Sequence, residues 1–359
     1  MQNTTQKTQP KKAVALISGG LDSMLAAKLM IEQGIHVEGI NFFTGFCVEG
    51  HTHAIRKKDK SKPKRNNSLW VAEQLGIKLH IIDIVEEYKD VVINPKHGYG
   101  AHLNPCLDCK IFMLKKAFEW IKANNFDFII TGEVIGQRPK SQRKACMPIV
   151  AEQSGATNLL LRPLCAQNLE PTLPEIEGWV DREQLLNLTG RSRKPQFELA
   201  EKYNISDYAQ PAGGCCFLTD KAYSNKLSDL WKNRNSKNYE LDDIMLLKIG
   251  RHIRPKNNFK LIIAREEGEN NFLSGYKKSF INLELENTTG PLALIDGKIE
   301  SDEDLELACK ILGRFAKATE NGFIDIKVNF KLDNETSKSK IIQITPFEPE
   351  QVLESWYLK

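Results

Sequence analysis

The residues with the clearest chemistry lie near the N-terminus, in Ser18-Gly19-Gly20-Leu21-Asp22-Ser23. They follow the apolar run Ala13–Ile17 and open the amphipathic stretch Leu25–Ile31. A strand that turns through two glycines into a helix suits a phosphate. Without Cβ atoms, Gly19 and Gly20 let backbone N–H groups close on an anion, and the helix N-terminus adds partial positive charge at that point. Ser18 and Ser23 supply hydroxyl donors, and Asp22 can hold a Mg²⁺ that bridges phosphates. No Lys-Ser or Lys-Thr closes the loop, so it is not a Walker A sequence.

A second constellation is built of sulfur. In Cys106-Leu107-Asp108-Cys109 both thiols fall in the first turn of a helix that Asn104 is expected to cap and Pro105 to begin. There the helix dipole favours thiolate, the form that attacks or binds metal. A third sulfur comes from Cys215 or Cys216, in the tight turn Ala212-Gly213-Gly214-Cys215-Cys216. One C-x-x-C plus one distant cysteine is wrong for a closed structural zinc site. It fits a 4Fe–4S cluster held by three cysteines, with one iron open to an exogenous sulfur or substrate atom. A redox dithiol, a zinc site completed by His and a catalytic disulfide pair remain open on spacing alone. Cys47, His51 and His53 form C-x3-H-x-H, which is either a metal corner in the loop after the second strand or, the preferred reading, a polar loop with coincidental ligands. Cys146, Cys165 and Cys309 lie in or beside apolar segments and read as small buried residues.

The elements that must position these groups alternate regularly. Strands are expected at Ala13–Ile17, Val37–Phe43, Lys78–Asp83, Phe128–Thr131 and Leu159–Arg162, with helices over Ser68–Leu75 and from Asn104 to about Ala123. That rhythm implies a parallel sheet with right-handed crossovers and a ligand at the carboxyl ends of its strands. Further helices are expected over Asp181–Leu188, with Gly190 past its end, and Pro195–Tyr203. After about Trp231 the chain changes to short strands, at Ile249–Arg254, Lys260–Arg265, Leu292–Ile295, Ile324–Phe330 and Lys340–Ile344, with a helix at Asp302–Lys317. The fold class is therefore α/β: a parallel-sheet, Rossmann-like domain followed by a smaller α+β domain. The boundaries expected are a disordered tail over 1–12, the nucleotide domain over 13–210, a cysteine-bearing turn and connecting helix over 211–239, the α+β domain over 240–345 and a C-terminal tail over 346–359.

With 359 residues, 41% apolar and 27% charged, the chain is a globular protein of two or three domains. No signal peptide is visible in the polar start, and no apolar run approaches the roughly 18 residues needed to span a membrane. A cytoplasmic location is expected, and it makes metal ligands, catalytic thiols or core residues of the eight cysteines rather than disulfides. The net charge of +4 says less than its distribution. Arg56 to Arg65 holds seven basic residues and one acid, Gly136 to Lys144 holds four cations, and Arg191-Ser192-Arg193-Lys194 is a further cluster. Each is either a solvated surface or a seat for RNA phosphates.

Taken together, Ser18–Ser23, Asn104-Pro105-Cys106-Leu107-Asp108-Cys109-Lys110, Gly136-Gln137-Arg138-Pro139, Gly190–Lys194 and Pro211-Ala212-Gly213-Gly214-Cys215 resemble the PP-loop tRNA thiouridine synthetases. These are ATP pyrophosphatases of the adenine nucleotide alpha hydrolase-like fold, and the resemblance is to the short, iron–sulfur branch related to the 4-thiouridine synthases. It covers about residues 12–235. No room for the N-terminal RNA-binding domain of the longer enzymes is seen, nor any rhodanese-like domain. The resemblance implies ATP, Mg²⁺ and a 4Fe–4S cluster as cofactors and tRNA as partner, with sulfide or a cysteine desulfurase as sulfur donor; a homodimer is allowed. It implies an ATP site at Ser18, Gly19, Gly20, Asp22, Ser23, Asn41, Phe42, Thr131 and Gly132. Catalysis would rest on Asp22, Cys106, Cys109 and Cys215, the three sulfurs holding the cluster with Cys216 as alternative. Arg138, Arg143, Arg191, Arg193 and Lys194 would meet RNA phosphates. A second stretch, Leu247–Arg254 with Phe259–Arg265 and Gly290–Ile295, is similar to the RNA-binding domain of the NFACT family, which adds Arg251 and Arg254. The function implied is adenylation of a uridine carbonyl oxygen and its replacement by sulfur, giving 4- or 2-thiouridine. A PP-loop enzyme adenylating a small molecule, or a non-catalytic RNA-binding protein, are the alternatives.

Overall fold

In the computed structural model of the chain, residues 10–48, 65–209, 216–330 and 338–359 are described. The chain forms two units, residues 1–44 with 65–215 and residues 45–64 with 216–359.

The first unit is built on five parallel strands, β1 (Lys12–Leu16), β2 (His36–Phe43), β3 (Leu79–Asp83), β4 (Phe128–Ile130) and β5 (Leu160–Leu161), in the order β3-β2-β1-β4-β5. Its helices are α1 (Leu21–Glu32), α2 (Asn67–Leu75), α3 (Val85–Ile93), α4 (Cys106–Asn124), α5 (Cys146–Ser154), the short α6 (Leu173–Ile176) and α7 (Lys194–Lys202). Alternate residues of β1 explain the layering. Ala13, Ala15 and Ile17 pack with α1 on one face, while Val14 packs with Leu114, Ala117 and Val150 on the other. Both faces are thus covered, as a parallel sheet requires. Helix α1 is buried nearly all round rather than amphipathic, because Phe197, Ala200 and Tyr203 at α7 join the core outside it. The sheet order reverses between β1 and β4, the point at which an open α/β sheet leaves a crevice for a ligand.

Two local expectations give way to tertiary structure. Asp181 does cap a turn, its carboxylate accepting from the Glu183 N–H, but the helix stops at Gln184. Leu186 and Leu188 instead donate to the carbonyls of Pro163 and Leu164 at 2.9 Å, so pairing with the chain after β5 replaces helical bonds. Helix α4 begins at Cys106 with Pro105, not Asn104, in the capping position. The Asn104 carbonyl accepts from Gly100, and the Cys109 N–H bonds to the Pro105 carbonyl.

The second unit holds six antiparallel strands, β6 (Arg251–Lys256), β7 (Phe259–Ile263), β8 (Ile281–Leu285), β9 (Ala293–Gly297), β10 (Ile324–Asn329) and β11 (Ser339–Ile344), ordered β11-β10-β8-β9-β7-β6. Helices α8 (Lys221–Arg234), α9 (Leu241–Leu246), α10 (Glu267–Ser274) and α11 (Asp302–Gly313) complete it. The apolar face of α11, with Leu305, Ala308, Ile311 and Leu312, closes one face of this sheet over Ile253, Leu261 and Ile326. Among the described residues no helix is long and apolar enough to cross a membrane.

Candidate active site

The loop leaving β1 is shaped by its glycines and serines. Gly19 has φ +79°, a left-handed conformation that costs glycine nothing. The Ser23 hydroxyl donates to the Gly20 carbonyl at 2.8 Å and accepts from the Ser18 N–H at 3.3 Å. The Ser18 and Ser23 hydroxyls lie 3.4 Å apart. From β2, the Asn41 amide donates to the Ile17 carbonyl at 2.7 Å and to the Ser68 hydroxyl at 3.0 Å, bracing the strand end from which the loop departs. Phe42 points into the core of the opposite face.

The loop after β4 packs directly on this one. A Cβ at Gly132 would stand 2.4 Å from the Asp22 carbonyl carbon and oxygen and 2.5 Å from the Ser23 nitrogen. Backbone cannot yield as a flexible side chain can. Gly132→Ala is therefore expected to displace the start of α1 and destabilise the unit by about 1–3 kcal/mol, the cost of overpacking. ATP affinity should fall with it, read by thermal unfolding and by nucleotide titration.

Asp22 is where distant motifs meet. Its Oδ2 accepts from the Gln137 amide at 2.6 Å and lies 3.7 Å from the Arg193 guanidinium. Gln137 accepts in turn from Gln196 at 2.8 Å, while the Asp22 Oδ1 is buried with no hydrogen-bond partner. The Gly136 and Gly190 segments are tied by the Ile135–Thr189 bridge and by the Gly190 N–H donating to the Ile135 carbonyl at 2.7 Å. Neither Gln137 nor Gln196 was expected in the site. Only the place of Gln137 inside Gly136-Gln137-Arg138-Pro139 pointed to it.

Of the cations expected on RNA, Arg193 is half-buried and turned to Asp22, whereas Arg143, Arg191 and Lys194 are exposed and Arg138 is half-buried. The Arg143 Nε donates to the Pro139 carbonyl at 2.5 Å, which fixes its stem against the surface. The basic run from Arg56 lies outside the described residues except Arg65, which is paired with Asp207 and set over the Trp70 ring at 4.3 Å.

Cys106 and Cys109 are half-buried at the start of α4, and the Cys106 thiol donates to the Ser141 hydroxyl at 3.5 Å. Asp108 between them faces away to His97, accepting from its N–H and meeting its Nδ1, both at 2.9 Å. Lys110, one residue beyond, reaches the buried Glu133 at 3.7 Å. Glu133 also accepts from Arg162 at 3.0 Å and from the Thr131 hydroxyl at 2.9 Å. Burial works to raise the Glu133 carboxyl; Lys110, Arg162 and Thr131 overcome it and hold it below the usual carboxylate range. Cys165, buried with its thiol on the Glu133 carbonyl, is pushed up to about 11 by burial, and Cys309 to about 12 by burial. Both are inert as nucleophiles at neutral pH. Cys215, His51 and His53 lie outside the described residues; Cys216 belongs to the second unit. Among the described residues no group of three or more His, Cys, Asp or Glu side chains is placed to hold a metal ion.

Residues 11–174 match the family model for the tRNA methyl transferase HUP domain. The five-stranded parallel sheet of the first unit has the Rossmann-like architecture of a HUP domain. Residues 250–357 match the model for the NFACT protein RNA binding domain, which places that module on the antiparallel sheet. Curated relatives include the tRNA-specific 2-thiouridylase MnmA of Mesoplasma florum, 26% identical over 259 residues that make up 68% of this chain and 64% of that protein. The protein of that name from Marinomonas sp. is 31% identical over 223 residues, 60% of this chain and 52% of that one. The chain thus spans between about half and two thirds of their length. Among solved structures, a 4-thiouridine synthetase–RNA complex with bound ATP aligns over 54% of this chain and 52% of that one, at 18% identity and a TM-score of 0.33.

On the antiparallel sheet, Arg251 stacks over Phe315 at 4.9 Å and donates to the Ala264 carbonyl. It lines a shallow concavity with Arg265 and Lys317. Arg254 is engaged by the Asp229 carboxylate at 2.6 and 2.8 Å. His252 is buried, its Nε2 2.9 Å from the Ile249 carbonyl, and burial with Lys226 and Lys260 nearby pushes it well below the ordinary histidine range.

Proposed function

We propose that this protein is an ATP-dependent tRNA thiouridine synthetase, forming AMP and pyrophosphate as it replaces a uridine carbonyl oxygen with sulfur. The observation that carries the reading is the convergence on Asp22: a phosphate-cradling loop and the Gly136 and Gly190 motifs meet at one carboxylate. The 2-thiouridylase names of the relatives favour O2 of the uridine as the oxygen replaced. ATP would lie with its phosphates on Ser18–Ser23 and its adenine by Asn41–Phe43. The uridine oxygen attacks the α-phosphorus and pyrophosphate leaves; sulfur from sulfide or a cysteine desulfurase then displaces AMP. The buried, unpartnered Asp22 Oδ1 fits a Mg²⁺ ligand, and the ion would neutralise charge on the phosphates. Arg193 and the Gly19–Ser23 N–H groups share that task. Arg138, Arg143, Arg191 and Lys194 would hold RNA phosphates, and the 240–345 region would extend the contact through Arg251, Arg254 being taken up by Asp229. For a 4Fe–4S cluster, Cys106 and Cys109 are two of three thiols; the third, Cys215 with Cys216 as alternative, is not among the described residues of this unit. No step is therefore derived through a cluster, and the two thiols at the α4 N-terminus would serve as nucleophiles or, where a cysteine desulfurase is the donor, as carriers of the persulfide sulfur it transfers.

The test is made on protein purified without oxygen. Visible absorption and iron content are recorded, then tRNA, ATP and sulfide are added and the nucleosides analysed. Thionucleoside together with tRNA-dependent ATP–pyrophosphate exchange supports the reading. Exchange driven by a small molecule without RNA overturns it in favour of a small-molecule adenylating enzyme. Cys106→Ser and Cys109→Ser are each expected to abolish thionucleoside formation while leaving ATP binding unchanged.

A further inference from the structure

The second unit contains a thiol pair, Cys47 and Cys216, through which no step has been derived. Cys47 and Cys216 face one another in an isolated antiparallel bridge within that unit. The hydrogen bonding shows which kind of pair this is. The Phe217 N–H donates to the Phe46 carbonyl at 2.9 Å, joining the residue after Cys216 to the residue before Cys47. The cysteines therefore occupy a non-hydrogen-bonded position of the ladder. Opposed residues there have Cα atoms about 4.5 Å apart and side chains on the same face, closer than at a hydrogen-bonded position. A disulfide spans Cα separations of about 4.4–6.8 Å. Register alone sets a Cα separation that a disulfide can span without a backbone rearrangement.

The surroundings hold that register. Phe46 is fully buried, edge-on to Tyr223 and Tyr239 with ring centroids 6.2 and 5.5 Å away. Tyr223 donates to the Ile244 carbonyl at 3.0 Å. Buried Lys248 donates to the Gly45 carbonyl at 2.5 Å and lies 5.0 Å from the centre of the Phe217 ring, so one side chain clasps both strands. Burial pushes Lys248 down to about 8, while negative charge on Cys47 and Cys216 acts the other way; the ammonium is within electrostatic reach of both sulfurs. The Cys216 sulfur also accepts from the Leu218 N–H at 3.4 Å.

We propose that Cys47 and Cys216 are a redox-active dithiol that closes to an intramolecular disulfide by exchange with low-molecular-weight disulfides. One protein thiolate attacks a sulfur of the small disulfide and expels its partner as a thiolate. The second protein thiolate then attacks the protein sulfur of the mixed disulfide and expels the other half. The two protein thiols lose two electrons, and the small disulfide gains them and leaves as two thiols carrying both protons. Closure withdraws Cys216 from service as a metal ligand, and it proceeds whether or not the chain thiolates RNA.

The full-length chain is incubated with glutathione disulfide, quenched in acid, blocked with N-ethylmaleimide and digested, and the peptides are weighed. The expected result is a Cys47–Cys216 linked pair in near-stoichiometric yield that dithiothreitol reverses. In Cys47→Ser the linked pair is lost completely and Cys216 stops as a glutathione mixed disulfide. The proposal is overturned if wild-type protein keeps separate mixed disulfides at the two positions, leaves both thiols unreacted, or links Cys216 to another cysteine. The wild-type measurement decides by itself should the variant fail to fold.

Discussion

Asp22→Asn is expected to leave the fold standing and to lower tRNA-dependent pyrophosphate exchange by about 10²–10³-fold, the range found when one preorganised charge-stabilising group is removed from an active site. The amide keeps an oxygen that can accept from Gln137, now at 2.6 Å, so the loop retains its strap. What disappears is the negative charge. Without it the buried Oδ position cannot neutralise a divalent cation, and the Arg193 guanidinium at 3.7 Å loses its partner. A shift confined to apparent Mg²⁺ affinity, with exchange restored at high Mg²⁺, is the signature of a ligand role. Gln137→Ala makes the complementary case. It removes a hydrogen bond to a charged group, worth about 1.5–3 kcal/mol, while leaving the carboxylate, so its effect on exchange should be the smaller of the two. Equal losses in both variants, with Mg²⁺ dependence unchanged, would reduce Asp22 to a structural bracket.

The contrast between Asp22 and Gln137 also marks what the sequence could and could not disclose. The phosphate loop is legible because two glycines and two serines between a strand and a helix have few other uses, and Gly19 indeed takes a left-handed φ. The parallel sheet follows from alternation and the handedness rule, but its strand order, β3-β2-β1-β4-β5, does not. Nor does the meeting of Gln137 with Asp22, since 115 residues separate them and only packed tertiary structure closes that distance. Arg193 shows the same limit from the other side. Read as one cation in an Arg-Ser-Arg-Lys surface cluster, it is drawn inward by a carboxylate that sequence cannot place beside it. Arg254 is likewise committed to Asp229. The helix expected over Asp181–Leu188 fails because Leu186 and Leu188 find better partners in the Pro163 and Leu164 carbonyls, a competition between local propensity and long-range pairing. Strand β8 is not among the strands expected, because the alternation of Ile281, Leu283 and Leu285 spans only five residues.

Glu133 is the residue whose loss should be felt most in stability. It follows β4, is 2% exposed, and joins Arg162, itself 6% exposed, to the Thr131 hydroxyl and to Lys110 beside the Cys106–Cys109 turn. Glu133→Gln preserves shape and much of the hydrogen bonding but leaves the Arg162 charge buried without a counter-charge. Removing one member of a buried ion pair costs about 3–5 kcal/mol. Taking the lower end, a unit of this size should melt about 6–12 °C earlier, at roughly 2–4 °C per kcal/mol. The pH dependence fixes the cause. Because the folded carboxyl is held below its ordinary value, its contribution is fully present above the unfolded value of about 4.3 and is lost as pH falls through the lower folded value. Wild-type protein should therefore lose stability on the acid side of about pH 4.3 more steeply than the Gln variant, the two curves converging as Glu133 becomes protonated. Parallel curves would assign the loss to packing rather than charge. Since Lys110 directly follows Cys109, the same variant should also loosen the start of α4, read as faster alkylation of Cys106 and Cys109 at neutral pH.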